Sequence, residues 1–275
     1  MISFLIFVFG LAVGSFLNAL IYRMEKGESA FQGRSYCPHC HGQLSWVDLI
    51  PLASFFLLQG RCRYCKKQIS WQYPLVEFVT GILFVGLFLF VSEQTMHMLN
   101  LFTFGFLAII ASLLIGIFVY DLKHFIIPDR FVYSVIGAAV LYRILQVLNF
   151  GNWDLIGNWK LEIGNLEPLI FSFLSALLAG AFFLAIYLGS RGKWMGFGDV
   201  KLAFFMGLFL GWPNILVALF FAFFLGALIG IFLMVSRKKQ WKSQVPFGPF
   251  LIAGTFVALF WGENLIRWYL NLVLV

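Results

Sequence analysis

Eight runs of apolar residues, at approximately 2–22, 75–91, 101–120, 131–148, 167–189, 200–211, 214–235 and 247–271, leave this chain few folds to adopt. About 20 apolar residues make one transmembrane helix, the form in which a lipid-exposed backbone satisfies its own hydrogen bonds. Only 11% of the 275 residues are charged, less than half of the roughly one quarter usual in soluble domains. That excludes a soluble globular enzyme, and the same apolarity excludes disorder. The expected fold is therefore all-α: a polytopic protein of the lipid bilayer with about eight spans. The first run has no basic stretch before it and no small-residue cleavage site, so it reads as an anchor and not a signal peptide.

Charge orients the spans. With the N-terminus outside, the cytoplasmic loops collect 16 of the 19 basic residues, in groups over 23–67, 123–130, 191–201 and 237–242; only Arg143, Lys160 and Arg267 fall outside. Lys and Arg gather on the cytoplasmic side of membrane proteins, so both termini are expected outside the cytoplasmic membrane. The formal charge of +7 then follows from topology and needs no nucleic-acid partner. Two segments fit poorly. The run 200–211 rises only about 18 Å against a hydrocarbon core of about 30 Å, so its helix starts nearer Trp194 or its inner end lies below the membrane surface. The run Leu49–Leu58 is also too short to span and reads as an interfacial or hairpin piece. Trp153 to Glu167, with Asp154 and Glu162, reads as a polar outside loop. No internal repeat is visible.

The first cytoplasmic loop carries Cys37-x-x-Cys40 and Cys62-x-x-Cys65, separated by 21 residues. Two such knuckles can supply four thiolates to a tetrahedral Zn²⁺. Arg61, Arg63, Lys66 and Lys67 flank the second pair, and cations favour the thiolate form. Stable disulfides are rare in the cytoplasm, which argues for metal over cystine. His39 and His41 are possible replacements for a thiol, but four cysteines already complete the shell. A closed four-thiolate site is structural, with no open position for catalysis.

Three carboxylates lie at membrane depth or its edge: Asp121 closes the third span, Asp129 follows Ile126-Ile127-Pro128, and Asp199 opens the sixth span in Gly196-Phe197-Gly198-Asp199-Val200-Lys201. A carboxylate near hydrocarbon is costly and so a functional candidate. Two facing carboxyls share a proton, which makes a general acid beside a general base able to activate water against a peptide carbonyl. Glycines at 196 and 198 would let an extended substrate backbone approach. A proton or ion relay would use the same residues. Plain helix capping would explain Asp129 and Asp199, which precede apolar runs, but not Asp121 at a helix C-terminal end, where the dipole disfavours an anion.

The whole series of motifs resembles the type IV prepilin peptidase family, polytopic aspartyl proteases of the GxGD kind. Gly14-Ser15-Phe16-Leu17-Asn18 with Tyr22-Arg23 resembles its opening helix, although Met24-Glu25 stand where a proline is often found. The paired CxxC motifs with Asp48-Leu49-Ile50-Pro51 between them resemble its first cytoplasmic loop, and Ile69 to Glu77 resembles the entry to its second span. Asp121 with Ile127-Pro128-Asp129, Gly196 to Lys201, and Pro246-Phe247-Gly248-Pro249-Phe250 resemble its two active-site segments and the start of its last span. The resemblance implies cleavage of the basic leader of prepilins and pseudopilins on the cytoplasmic face, with Asp121 and Asp199 catalytic. It leaves Gly196, Gly198, Asp129 and Lys201 supporting the active-site loop. It further implies N-methylation of the new N-terminus with S-adenosylmethionine as donor; no glycine-rich nucleotide motif is visible, so the donor rests on resemblance alone.

The resulting expectation is a first span plus four-cysteine zinc loop over 1–74 and a transmembrane aspartyl protease core over 75–275, in the bacterial inner membrane. The main rival is a proton-coupled transporter using the aspartates as a relay. A thiol oxidoreductase would need one reactive CxxC and would be indifferent to Asp199.

Overall fold

The computed structural model describes residues 1–29, 33–92, 99–147, 167–235 and 245–273. Among these residues there are nine α-helices and no strand: α1 Ile2–Lys26, α2 Ala53–Leu57, α3 Gln72–Ser92, α4 Leu99–His124, α5 Asp129–Val147, α6 Glu167–Ser190, α7 Phe197–Leu210, α8 Asn214–Val235 and α9 Gly248–Val273. All eight expected runs are helices, and Leu49–Leu58 becomes a short 3-10 turn followed by α2. The polar loop expected over 153–167, except its last residue, lies outside the described residues, as do Lys160, Arg237, Lys238, Lys239 and Lys242.

Six of the helices (α1, α3, α4, α6, α8 and α9) are long and apolar enough to cross a membrane, by length and composition. Many of their large apolar side chains are exposed, among them Phe220, Phe224 and Phe232 of α8, as expected of surfaces that face lipid. The end of α1 shows how local sequence sets a boundary. Gly27 adopts φ 70°, its N–H reaches the Met24 carbonyl at 3.1 Å, and the Glu28 N–H reaches Arg23 at 2.9 Å. That is a left-handed glycine cap, with Arg23 and Lys26 in the last turn where the helix dipole favours cations.

The chain forms two compact units: Met1–Glu93 with Leu107–Gly116, and Gln94–Phe106 with Ile117–Val275. In the first, α1 packs on α3 through small residues one turn apart. A Cβ on Gly10 would stand 2.8 Å from the Gly81 Cα, and one on Gly14 would stand 2.7 Å from the Glu77 Cα. Only glycine admits backbones this close, the small-xxx-small packing of membrane helices.

The second unit is built around α7. Its 14 residues rise about 21 Å, yet ten of them, including Phe205–Leu210 at its far end, are buried, so that end meets protein and not lipid. The helix begins at Phe197, with Gly196 as its N-cap, so it does not reach back to Trp194 as one of the two expectations had it, and it remains shorter than a hydrocarbon core of about 30 Å. Its far end is finished by a residue that charge counting had placed outside: Arg143 of α5 is buried, and its Nε and Nη2 donate to the carbonyls of Leu208 and Phe209 at 3.0 and 2.7 Å. A guanidinium at a helix C-terminus satisfies orphan carbonyls and matches the dipole. We expect Arg143→Met to destabilise this unit by about 1–3 kcal/mol for each carbonyl left without a donor, read as a lower thermal unfolding midpoint in detergent. An unchanged midpoint would mean that other donors reach those carbonyls.

Candidate active site and metal centre

Asp121 and Asp199 are both buried, at 4% and 7% exposure, and the chain between them and α9 brings them to one place. After α4, Phe125 takes φ 57° and its N–H bonds the Asp121 carbonyl at 2.9 Å, which turns the chain sharply. Ile127 then enters the interior. A Cβ on Gly198 would stand 2.7 Å from the Ile127 Cβ, and one on Gly248 would stand 3.1 Å from the Ile127 Cδ1 and 2.5 Å from the Asp121 Oδ2. Ile127 is thus wedged between the start of α7 and the start of α9, with Asp121 beside it. The Gly248 backbone amide lies in hydrogen-bonding range of the Asp121 carboxyl. Asp121 and Asp199 are near enough for their charges to act on each other through space.

Asp199 also caps its helix: its Oδ2 accepts from the Gly196 N–H at 3.2 Å. Capping and membership of the acid pair are therefore not alternatives. The two glycines differ. Gly198 is already covered by Ile127 of the same chain, whereas a side chain at Gly196 would meet nothing nearer than 3.8 Å. Asp129 opens α5 with its carboxylate 62% exposed and joined to the Lys201 ammonium at 2.5 Å; Lys201 also lies over the rings of Tyr133 and Phe197. This ties the Ile127–Asp129 segment to α7 from outside and leaves Asp129 apart from the buried pair.

Two residues were not singled out from the residues alone. Arg143 lies inside the apolar run 131–148, which was a signal in itself. Gly248 stood out only through resemblance; its contact with Asp121 depends on folding.

In the loop between α1 and α3 the four cysteine sulfurs lie within 4.8 Å of one another, and Cys37 Sγ is 3.9 Å from Cys65 Sγ. A tetrahedron of sulfurs about 2.3 Å from a metal has edges of roughly 3.8 Å, whereas a disulfide is about 2.05 Å. The spacing fits a metal ion and not cystine, and it uses all four thiols, which a redox CxxC would not. The knuckles are also two copies of one device, and against the expectation of no internal repeat the sequence carries it: Cys37-x-x-Cys40-x-x-Gln43-Leu44-Ser45-Trp46 is matched by Cys62-x-x-Cys65-x-x-Gln68-Ile69-Ser70-Trp71. In each, the first cysteine's N–H bonds a carbonyl five residues on, and the residue four on bonds back to its carbonyl: Cys37 with Gly42 and His41, Cys62 with Lys67 and Lys66. His41 and Lys66 both take positive φ, and bridges join Tyr36 to Gln43 and Arg61 to Gln68.

The thiols show why a cation belongs there. Burial opposes ionisation of Cys37, but the backbone N–H groups of Cys40 and His39 and the thiols of Cys62 and Cys40 bring it down to about 7. The Lys67 backbone N–H draws Cys65 down, yet burial and the three neighbouring thiols push it up to about 11. One thiolate forms readily and hinders the next, a conflict that a divalent ion removes. His41 is not among the clustered ligands and stacks on Tyr36. Asp48 braces the loop, accepting from Arg63 Nε at 2.6 Å and from the Ser45 hydroxyl at 2.8 Å.

Two family models match the chain: the bacterial peptidase A24 N-terminal domain over residues 8–91 and the type IV leader peptidase family over residues 108–231. A prepilin leader peptidase/N-methyltransferase of Legionella pneumophila is 31% identical over 96% of this chain and 93% of its own length. Proteins of the same description from Pseudomonas aeruginosa and Bacillus subtilis are 30% and 29% identical, over 95% and 98% of this chain and 91% and 98% of their own lengths. No solved structure matches the chain.

Proposed function

This chain belongs to the type IV leader peptidase family, and from that premise we propose that it cleaves the leader of prepilins and pseudopilins and then methylates the new N-terminus. The observation that carries the peptidase reading is the meeting of two buried carboxyls, Asp121 and Asp199, around Ile127. One Asp, ionised, takes a proton from water as the oxygen attacks the scissile carbonyl. The other, protonated, donates to the carbonyl oxygen. The tetrahedral intermediate then collapses, the C–N bond breaks, and the leaving amine collects a proton from the pair. No acyl-enzyme forms. Burial strengthens each of these interactions by excluding water. The substrate backbone has room at Gly196, whereas at Gly198 it must displace Ile127. The comparisons lend the transporter reading no support. Incubating the purified protein in detergent with an uncleaved prepilin tests the proposal, because cleavage needs no gradient; a substrate of unchanged mass would overturn it.

Zn²⁺ bound by Cys37, Cys40, Cys62 and Cys65 holds the loop between α1 and α3 closed. Four thiolates leave it no open coordination position, so its part is structural. S-adenosylmethionine supplies the methyl group.

The loop over 27–71, the Asp121–Arg130 segment and the start of α7 face the cytoplasm, and both termini lie outside the inner membrane, as the 16-to-3 division of basic residues requires. We expect Ser35→Cys to resist an impermeant maleimide applied to intact cells and Arg267→Cys to react. Fast labelling at position 35 from outside would reverse the topology.

A further inference from the structure

Among the described residues four charged residues are buried as a whole, Glu77, Asp121, Arg143 and Asp199; the Asp48 side chain, also covered, is paired with Arg63. Asp121 and Asp199 form the acid pair and Arg143 finishes α7. Glu77 has no such task. It sits five residues into α3, about 7.5 Å along the helix and close to its cytoplasmic end. Its Oε2 accepts from the Leu52 N–H at 2.9 Å, and the Ser15 hydroxyl of α1 also hydrogen-bonds it. An ionised carboxyl has about four acceptor sites, and these two donors use two. Asn18, 2% exposed, stands one turn along α1 from Ser15, donating to the Tyr73 carbonyl at 3.0 Å. Gly14 lets α1 approach the Glu77 Cα. A buried carboxylate in an apolar span is costly. If Glu77 served only to hold Leu52, a glutamine would accept the same bond at lower cost. Leu52 itself takes φ 58°, ψ −51°, strained for a branched residue, so a specific force holds α2 against Glu77.

We propose that Glu77 holds the N-terminal amine of the trimmed substrate for methyl transfer; this rests on the bifunctional reading above. The amine N–H donates to the Glu77 carboxylate, which aims the nitrogen lone pair at the methyl carbon of the sulfonium. The N–C bond forms as the S–C bond breaks. The products are a methylated ammonium and a neutral thioether, and the ammonium proton passes to water. Orientation dominates such a transfer. The Leu52 hydrogen bond links this site to the metal loop.

The test uses full-length protein in detergent with a purified, already trimmed pilin and labelled S-adenosylmethionine. Glu77→Gln should lower methyl incorporation by roughly 10²-fold, the cost of a misplaced nucleophile, while zinc content and cleavage of uncleaved prepilin stay within about twofold of wild type. Glu77→Asp, which keeps the charge but shortens the reach, should fall between. A second readout needs no turnover. A hydrophobic carbodiimide should join the pilin N-terminus to Glu77 as an amide, found by peptide mass, and Glu77→Gln should lose that cross-link. Full methylation by Glu77→Gln, or a parallel loss of methylation, cleavage and zinc, would overturn the proposal in favour of a packing role. Absence of label with wild type would remove the methylation reading itself, and this inference with it.

Discussion

Asp121→Asn and Asp199→Asn should each reduce prepilin cleavage by roughly 10²–10⁴-fold, the range attributed to one positioned acid or base. The choice of asparagine isolates the chemistry. Its amide oxygen can still accept the Gly196 N–H that Asp199 accepts at 3.2 Å, so the N-terminus of α7 keeps its cap. The same oxygen at position 121 can still face the Gly248 amide. What is lost is the exchangeable proton. The double mutant should be little worse than either single mutant, because either change dissolves the pair. Asp129→Asn should be much milder, since its carboxylate is 62% exposed and its ion pair with Lys201 lies at the surface, where such pairs contribute about 0–1 kcal/mol. Cleavage rates on one prepilin, with folded protein checked by its unfolding midpoint, decide the matter. Near-normal cleavage by either of the first two variants would remove the aspartyl mechanism.

The helices were legible because apolar runs of bilayer length allow little else, and the described helices coincide with all eight runs. The cysteine cluster was legible from spacing alone. Less readable was anything that depended on two distant segments meeting. Asp199 reads equally as a cap and as an acid until Asp121 and Ile127 are placed beside it. Arg143, counted as an outside-loop cation, turned out to face inward, because a short helix buried in protein needs donors for its last carbonyls. The glycines of the GxGD motif invited a substrate strand at both positions, yet Ile127 already covers Gly198. A local motif cannot reveal that the chain's own backbone occupies the space it opens.

Replacing Cys62 by Ser should empty the metal centre. A structural zinc site contributes about 10–16 kcal/mol of binding in small zinc-finger peptides at neutral pH, and that figure depends on a complete shell of thiolates. A serine hydroxyl stays protonated at neutral pH and is a poor ligand for a borderline-soft ion. Cys62 is buried and anchors its knuckle through its own N–H and carbonyl, so water cannot readily stand in for the lost sulfur. The expected result is a fall from about one zinc per chain to a small fraction after chelator dialysis, with the loop between α1 and α3 becoming open to proteolysis. The two activities should then part. Asp121 and Asp199 belong to the other compact unit, so cleavage should survive within a few-fold. Methylation should fall by at least tenfold, because α2 hangs on the same loop and is tied to Glu77 through Leu52. Metal analysis beside paired assays on uncleaved prepilin and trimmed pilin reads all three quantities. Retained zinc, or equal loss of both activities, would mean that the loop supports the fold as a whole and has no closer tie to methyl transfer.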